Sequence, residues 1–262
     1  MSRVSLLNTS AGQNQDLSSL ALELGIPLVD DIKQSPVCLV VVDNAWGLVS
    51  RELPDMKPLV IDFSLGEWKR RRFELKGPGD VLSKALGKIK GHRAVDVTAG
   101  LGRDSLHLVG LGFEVTAVER SAVLSFLLQA ALGRACAAEG DRSDLKSLKI
   151  IHADARQYLR ELYDRDESPD VVFLDPMFPS KKKSALSGKE AQLLQILFSH
   201  TPESDGELLA QALKVVKDRV VVKRPVQAPP VATGARHQYV GKSVRYDVYF
   251  PGDKVEFQVE GL

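Results

Sequence analysis

Asp175-Pro176-Met177-Phe178-Pro179 directly follows the apolar run Val171-Val172-Phe173-Leu174. Four consecutive apolar residues predict a buried strand, which puts the acid at that strand's carboxyl end. An exocyclic amine on a nucleobase is a poor nucleophile, because its lone pair is delocalised into the ring. The Asp175 carboxylate and the Pro176 carbonyl can both accept from such an amine. They would draw the lone pair outwards and orient it for in-line displacement on a methyl donor. Phe178 can stack on the base. A lone Asp-Pro pair after a strand is also an ordinary turn, so the surroundings decide.

The surroundings begin at Ala94-Val95-Asp96-Val97-Thr98-Ala99-Gly100-Leu101-Gly102-Arg103-Asp104-Ser105. This stretch reads as a buried strand, a glycine turn and a helix start. Asp96 and Thr98 fall near the strand's carboxyl end, and Gly100 and Gly102 let the backbone approach a ligand closely. In open α/β sheets ligands bind at this edge. Glu119 closes the next strand, where an acid can accept both ribose hydroxyls of an adenosine. Asp154, in His152-Ala153-Asp154-Ala155, can accept from an adenine 6-amino group, or cap the following helix, or do both.

Basic residues cluster nearby. Lys181, Lys182 and Lys183 follow the Asp175 motif, and Lys223-Arg224-Pro225 ends a later strand on the same edge. Each reads either as solvated surface or as a phosphate contact. Trp68-Lys69-Arg70-Arg71-Arg72-Phe73 reads as a solvated edge strand, with an RNA contact as the second reading.

The elements that must carry these residues alternate. Strands are predicted over 94–97, 113–118, 148–152, 171–174 and 219–223. Helices are predicted from Arg103 to Gly110 or Gly112, from Ser121 to about 138, and over about 155–162, 189–200 and 207–217. Alternation of this kind implies a mostly parallel sheet covered on both faces. Residues 237–240 and 243–250 flank Gly241-Lys242 as an antiparallel hairpin. The fold class is therefore α/β, a Rossmann-like methyltransferase architecture over residues 76–262. Residues 1–75 read as a small α+β domain, with a helix over 16–25 and strands over 37–42, 46–52 and 59–63. Gly77-Pro78-Gly79 marks the break, and Asp80 can cap a helix from Val81 to about Lys88.

The 262 residues are 44% hydrophobic, enough for a sizeable core, and the formal charge of +1 gives no global field for nucleic acid. Cys38 and Cys136 fit neither a redox nor a metal spacing, and the five histidines form no ligand pair, so no metal is expected. The polar stretch Met1 to Asp16 lacks a signal peptide's apolar run, and Val37 to Val42 is too short to cross a bilayer. A soluble cytoplasmic protein is expected.

In the order of Asp96-x-Thr98-Ala99-Gly100-x-Gly102-Arg103-Asp104, Glu119-Arg120, His152-Ala153-Asp154 and Asp175-Pro176-Met177-Phe178-Pro179, the chain resembles the bacterial small-subunit rRNA guanine-N2 methyltransferase J family. The resemblance covers the catalytic region, and the length and N-terminal extension are also similar. It implies S-adenosyl-L-methionine as donor and a guanine 2-amino group of 16S rRNA, guanine 1516 in the family, as acceptor. The partner is thus 16S rRNA or the small ribosomal subunit, with the protein taken as a monomer. Cofactor contacts are implied at Arg103, Asp104, Glu119, Arg120, Asp154, Ala155 and Asp175, beside Asp96, Gly100 and Gly102. The wider amino-methyltransferase pattern has a second proline where Met177 stands and often a tyrosine where Phe178 stands. Base preference is therefore not carried over from adenine enzymes. A nicotinamide oxidoreductase would want glycine at Ser105. An amino-methyltransferase of DNA or protein glutamine needs the same acceptors. A catalytically silent RNA-binding factor would not need Asp175.

Overall fold

Strand and helix alternate from residue 93 onwards because short β-branched runs are separated by capped amphipathic helices. The structure is a computed structural model that describes residues 3–8, 16–74, 80–88, 92–140, 143–176, 188–198 and 205–256. Its main sheet has seven strands. They are β6 (Arg93–Asp96), β7 (Glu114–Glu119), β8 (Leu148–His152), β9 (Val171–Leu174), β10 (Arg219–Pro225), β11 (His237–Val240) and β12 (Val244–Tyr249). Their spatial order is β11-β12-β10-β9-β6-β7-β8. β8, β7, β6, β9 and β10 run parallel, and β12 returns antiparallel between β10 and β11. The architecture is the mostly parallel Rossmann-like methyltransferase sheet with its terminal hairpin.

A second sheet precedes it, built from β1 (Val4–Leu7), β2 (Leu28–Val29), β3 (Val37–Val42), β4 (Ala45–Ser50) and β5 (Leu59–Val60) in the order β2-β1-β3-β4-β5. β1 and β2 lie in stretches where no strand is expected, because neither is long enough to show alternation; pairing with β3 and its neighbours supplies what local pattern lacks. Asp43 and Asn44, both at positive φ, close the β3–β4 hairpin.

The helices are α1 (Leu17–Leu24), α2 (Gly66–Phe73), α3 (Val81–Leu86), α4 (Arg103–Gly110), α5 (Ala122–Glu139), α6 (Ala155–Asp164), α7 (Lys189–Phe198) and α8 (Asp205–Val215). Side-chain caps fix several starts: Asp16 on α1, Asp80 on α3, Ser121 on α5 and Asp154 on α6. Among the described residues only α5 is long and apolar enough to cross a bilayer; here Leu124, Leu127 and Leu128 are buried in the core.

The expected edge strand around Trp68 is instead α2. Helical spacing puts Trp68 and Arg72 on one buried face. Glu67 pairs with Arg70 and Arg71 at three and four residues, a pattern a strand cannot make. One face of the main sheet packs under α6 and α8 through Val95, Val172, Leu159 and Leu209. The other packs under α4 and α5 in an apolar cluster that continues through Phe63 and Trp68 into Leu39 and Leu48 of the first sheet.

Candidate active site

The carboxyl ends of the parallel strands share one edge, and the chain reverses its direction of travel across the sheet between β6 and β9. That switch point is where α/β sheets open a crevice. Asp96 stands at the end of β6 and Asp175 directly after β9. The backbone N–H of Asp175 donates to Thr98 Oγ1 across 2.6 Å, which ties the two strand ends together.

Asp96 is buried and organises the glycine loop. Its Oδ1 accepts from the Thr98 N–H at 3.0 Å and its Oδ2 from the Ser105 hydroxyl at 2.6 Å, so one carboxyl holds the loop's entry and its exit into α4. Burial pushes its pKa up to about 7 against those hydrogen bonds, and the charges of Asp104 and Asp175 add to the rise. Gly102 lies at φ +74°, a conformation that favours glycine, and a Cβ there would stand 2.7 Å from a Leu128 methyl, which would have to shift. At Gly100, φ +54°, a Cβ would meet only the Thr98 carbonyl at 3.8 Å, so the backbone there is open to a ligand.

Glu119 ends β7, nearly buried. Its Oε2 accepts from the Gly100 N–H and its Oε1 from the Ser121 N–H, each at 2.8 Å. A carboxylate has about four acceptor sites, so these two bonds alone do not exhaust it. Arg120 follows, its carbonyl 3.1 Å from His152 Nε2. Asp154 caps α6: Oδ1 accepts from the N–H groups of Arg156 at 3.0 Å and Gln157 at 3.1 Å, and Ala155 opens the helix. Burial works against its ionised form, yet the Gln157 N–H and the Arg156 guanidinium outweigh it and hold the carboxyl below the usual range.

Asp104, Lys223 and Asp175 form an ion cluster. Lys223 Nζ lies 2.5 Å from Asp104 Oδ2 and 2.8 Å from Asp175 Oδ2, and Arg71 Nη1 meets Asp104 Oδ1 at 2.7 Å. Burial disfavours the charged form of Asp104, but Lys223 and Arg71 together keep its carboxyl below the ordinary range. For Asp175, burial raises the pKa; Lys223 pulls it back, Asp104 adds to the rise, and the net direction is upward.

This geometry corrects two expectations. Lys223 is not an outward cation for RNA phosphates: its side chain is 13% exposed and its ammonium is bound by two carboxylates. Arg71 and Arg72 likewise face inwards. Arg72 is buried, with Nη1 and Nη2 on Glu139 at 2.7 and 2.6 Å and Nε on Asp144 at 2.6 Å. Arg70 stays at the surface on Glu67. Arg103 bonds Glu190 of α7 and lies over the Trp68 ring, 5.0 Å from its centroid. Met177, Phe178, Pro179, Lys181, Lys182 and Lys183 lie outside the described residues. What sequence does not reveal is the partners of Thr98, Ser105, Trp68 and Arg71: the Asp175 N–H, the Asp96 carboxyl, the Leu101 carbonyl and Asp104. Thr98 and Ser105 sit in the motif itself, two and nine residues after Asp96, whereas the basic run that holds Trp68 and Arg71 gives no sign that it faces the glycine loop.

Comparison with known proteins decides the family. The family model for SAM-dependent methyltransferases matches residues 21–251. Curated relatives named ribosomal RNA small subunit methyltransferase J include one from Thioalkalivibrio sulfidiphilus, 35% identical, covering 95% of this chain and 98% of the relative. Another, from Yersinia enterocolitica, is 39% identical over 96% of this chain and 99% of the relative. This chain belongs to the small-subunit methyltransferase J family. A solved SAM-dependent methyltransferase from Neisseria gonorrhoeae superposes with a TM-score of 0.71 at 28% identity, over 95% of this chain and 96% of that one. The cofactor of this methyltransferase family is S-adenosylmethionine. The residues present suit it: an unobstructed Gly100 backbone lies beside Glu119, and acids end β7 and follow β8.

Proposed function

We propose that this protein methylates the exocyclic 2-amino group of a guanine in 16S rRNA, the family's guanine 1516, by direct in-line transfer, acting as a cytoplasmic monomer. The observation that carries the reading is Asp175 at the β6/β9 switch point, its backbone bonded to Thr98 and its carboxylate beside the glycine loop that leads into α4. The names of the relatives support an rRNA substrate.

Bound S-adenosylmethionine supplies an electrophilic methyl group. In this reading Glu119 accepts from the ribose hydroxyls and Asp154 from the adenine amine. Asp96, Gly100, Gly102, Arg103, Asp104, Arg120 and Ala155 shape the rest of that pocket. Asp175 and the Pro176 carbonyl would accept from the guanine amine, and Asp175 would take the proton the amine gives up during or after transfer of the methyl group from the donor's sulfur. Phe178 holds the unpaired or flipped base, and Lys181, Lys182 and Lys183 meet phosphates. An amine attacks the methyl group itself, so no covalent enzyme intermediate is needed and neither Cys38 nor Cys136 takes part. Residues 1–75 act as a small domain that braces the cofactor loop.

Mapping of modified guanines in 16S rRNA from cells lacking the protein tests the substrate. Loss of one N2-methylguanine is expected; an unchanged rRNA with altered DNA or protein methylation would instead favour another amine or amide acceptor. Calorimetry on Glu119→Ala should show cofactor affinity weakened by about 1.5–3 kcal/mol. Single-turnover methylation should be strongly slowed in Asp175→Asn, which keeps the shape and removes the charge, and preserved in Cys38→Ala and Cys136→Ala. Near-normal transfer by Asp175→Asn, or a trapped cysteine–RNA adduct, contradicts the mechanism.

A further inference from the structure

We propose that Lys223 is a positioning residue of the methyl-transfer site, its ammonium clamping the Asp175 carboxylate to Asp104 so that the amine acceptor is held, ionised, against the cofactor loop. The inference rests on the reading of Asp175 as that acceptor.

Topology brings the three residues together from distant parts of the chain. β10 pairs parallel to β9 with Val222 opposite Leu174, so Lys223, still within β10, lies beside Asp175, the residue that directly follows β9. Asp104 arrives from the first turn of α4, at the exit of the glycine loop. Lys223 bonds both carboxylates, at 2.5 and 2.8 Å. A buried ammonium without a counter-charge would be driven towards neutrality; between two carboxylates it is held firmly charged, and its pKa is raised.

The clamp has an asymmetry. Asp104 has a second cation in Arg71, whereas Lys223 is the only cation bonded to Asp175 among the described residues. The other ionisable groups facing the cluster are Asp96 at the end of β6, His107 on α4 and Tyr246 on β12, opposite Lys223 in register. Asp96 and Tyr246 bring no positive charge, and His107 bonds Asp80, so among the described residues the only other cation acting on Asp175 is Arg71, which bonds Asp104. Removing Lys223 leaves two neighbouring carboxylates, one of them without a bonded cation. A proton on Asp175 then relieves the repulsion, and a protonated acid accepts poorly from an amine. A lysine serving only packing would not control this ionisation.

The test is a carboxyl-carbon NMR titration of Asp175 in the full-length protein, with the resonance assigned by Asp175→Asn. It is paired with the pH profile of single-turnover methylation. In Lys223→Met the Asp175 midpoint should rise by about one pH unit or more, and the acid limb of the rate should move up with it. Lys223→Arg, which keeps the charge, should leave both near wild type. Asp104→Asn gives an opposite sign in a second variant: it removes a like charge and leaves Lys223 to Asp175 alone, so the midpoint should fall. An Asp175 midpoint that moves in neither variant overturns the proposal. If the wild-type protein methylates no guanine, the functional reading fails separately, and the carboxyl titration still decides whether Lys223 controls Asp175.

Discussion

Trp68 donates its indole N–H to the carbonyl of Leu101 across 2.7 Å. The donor lies on α2, contributed by the N-terminal region, and the acceptor lies between the two glycines of the loop before α4. One turn further along α2, Arg71 reaches Asp104 at the start of α4. The N-terminal region is thus joined to the loop at two points. Trp68→Phe keeps the ring and deletes the donor. Leaving a buried carbonyl unpaired should cost about 1–2 kcal/mol of stability and weaken cofactor binding; calorimetry beside a melting curve separates the two effects. Unaltered cofactor affinity would mean that the loop holds its shape without α2.

α2 and α4 touch backbone to backbone at Gly110, where an added Cβ would lie 2.2 Å from the Arg72 carbonyl. No rotamer can relieve a clash with backbone. Gly110→Ala should therefore destabilise the protein by about 1–3 kcal/mol or more, although alanine is the better helix former. Urea unfolding at neutral pH measures this directly.

Arg72 is fully buried and joins α2 to Glu139 at the end of α5 and to Asp144 beyond it. Arg72→Met keeps most of the volume but strands two carboxylates. Because Glu139 and Asp144 retain partial exposure, the loss should be about 3 kcal/mol, the low end for breaking a buried pair. Arg72→Met combined with Glu139→Gln should recover part of it.

Asp96 gives a pH dependence with a fixed sign. Its folded pKa is raised to about 7, chiefly by burial. An unfolded aspartate titrates near ~4. The folded state therefore holds the proton more tightly, and this contribution to stability is complete below about pH 4 and lost as the pH rises through about 7. Wild type should lose stability relative to Asp96→Asn between pH 5 and pH 8. A gap between the two urea midpoints that stays constant over this range would show that Asp96 is ionised throughout.

Asp154 separates a cap from a ligand contact. Asp154→Ala should cost about 1 kcal/mol of stability through α6, because two N–H groups lose their acceptor. Asp154→Ser can keep the cap and shorten the side chain. If Asp154 also meets the adenine, both variants should bind S-adenosylmethionine more weakly while only the alanine variant melts earlier.

The sequence by itself determined the strand ends. β8 and β9 fall on the residues expected, and β6, β7, α4 and α5 lie within a residue or two of expectation, because β-branched runs, capping residues and glycine stops act over a few neighbours. Once the strands are parallel, Glu119, Asp154 and Asp175 must share an edge, so the placing of these three acids is legible too. What only the tertiary structure decided is which charges face one another. Lys223 and Arg72 look in sequence like members of basic surface runs. Lys223 turns inwards because β10 lies beside β9, and Arg72 because α2 lies on α4 against the end of α5. The α2 segment looks in sequence like a strand, since eight residues with four basic side chains carry too little apolar pattern to reveal their period. Local patterns fix secondary structure through near neighbours. The partner of a buried charge is set by elements tens of residues away, and no spacing along the chain records it.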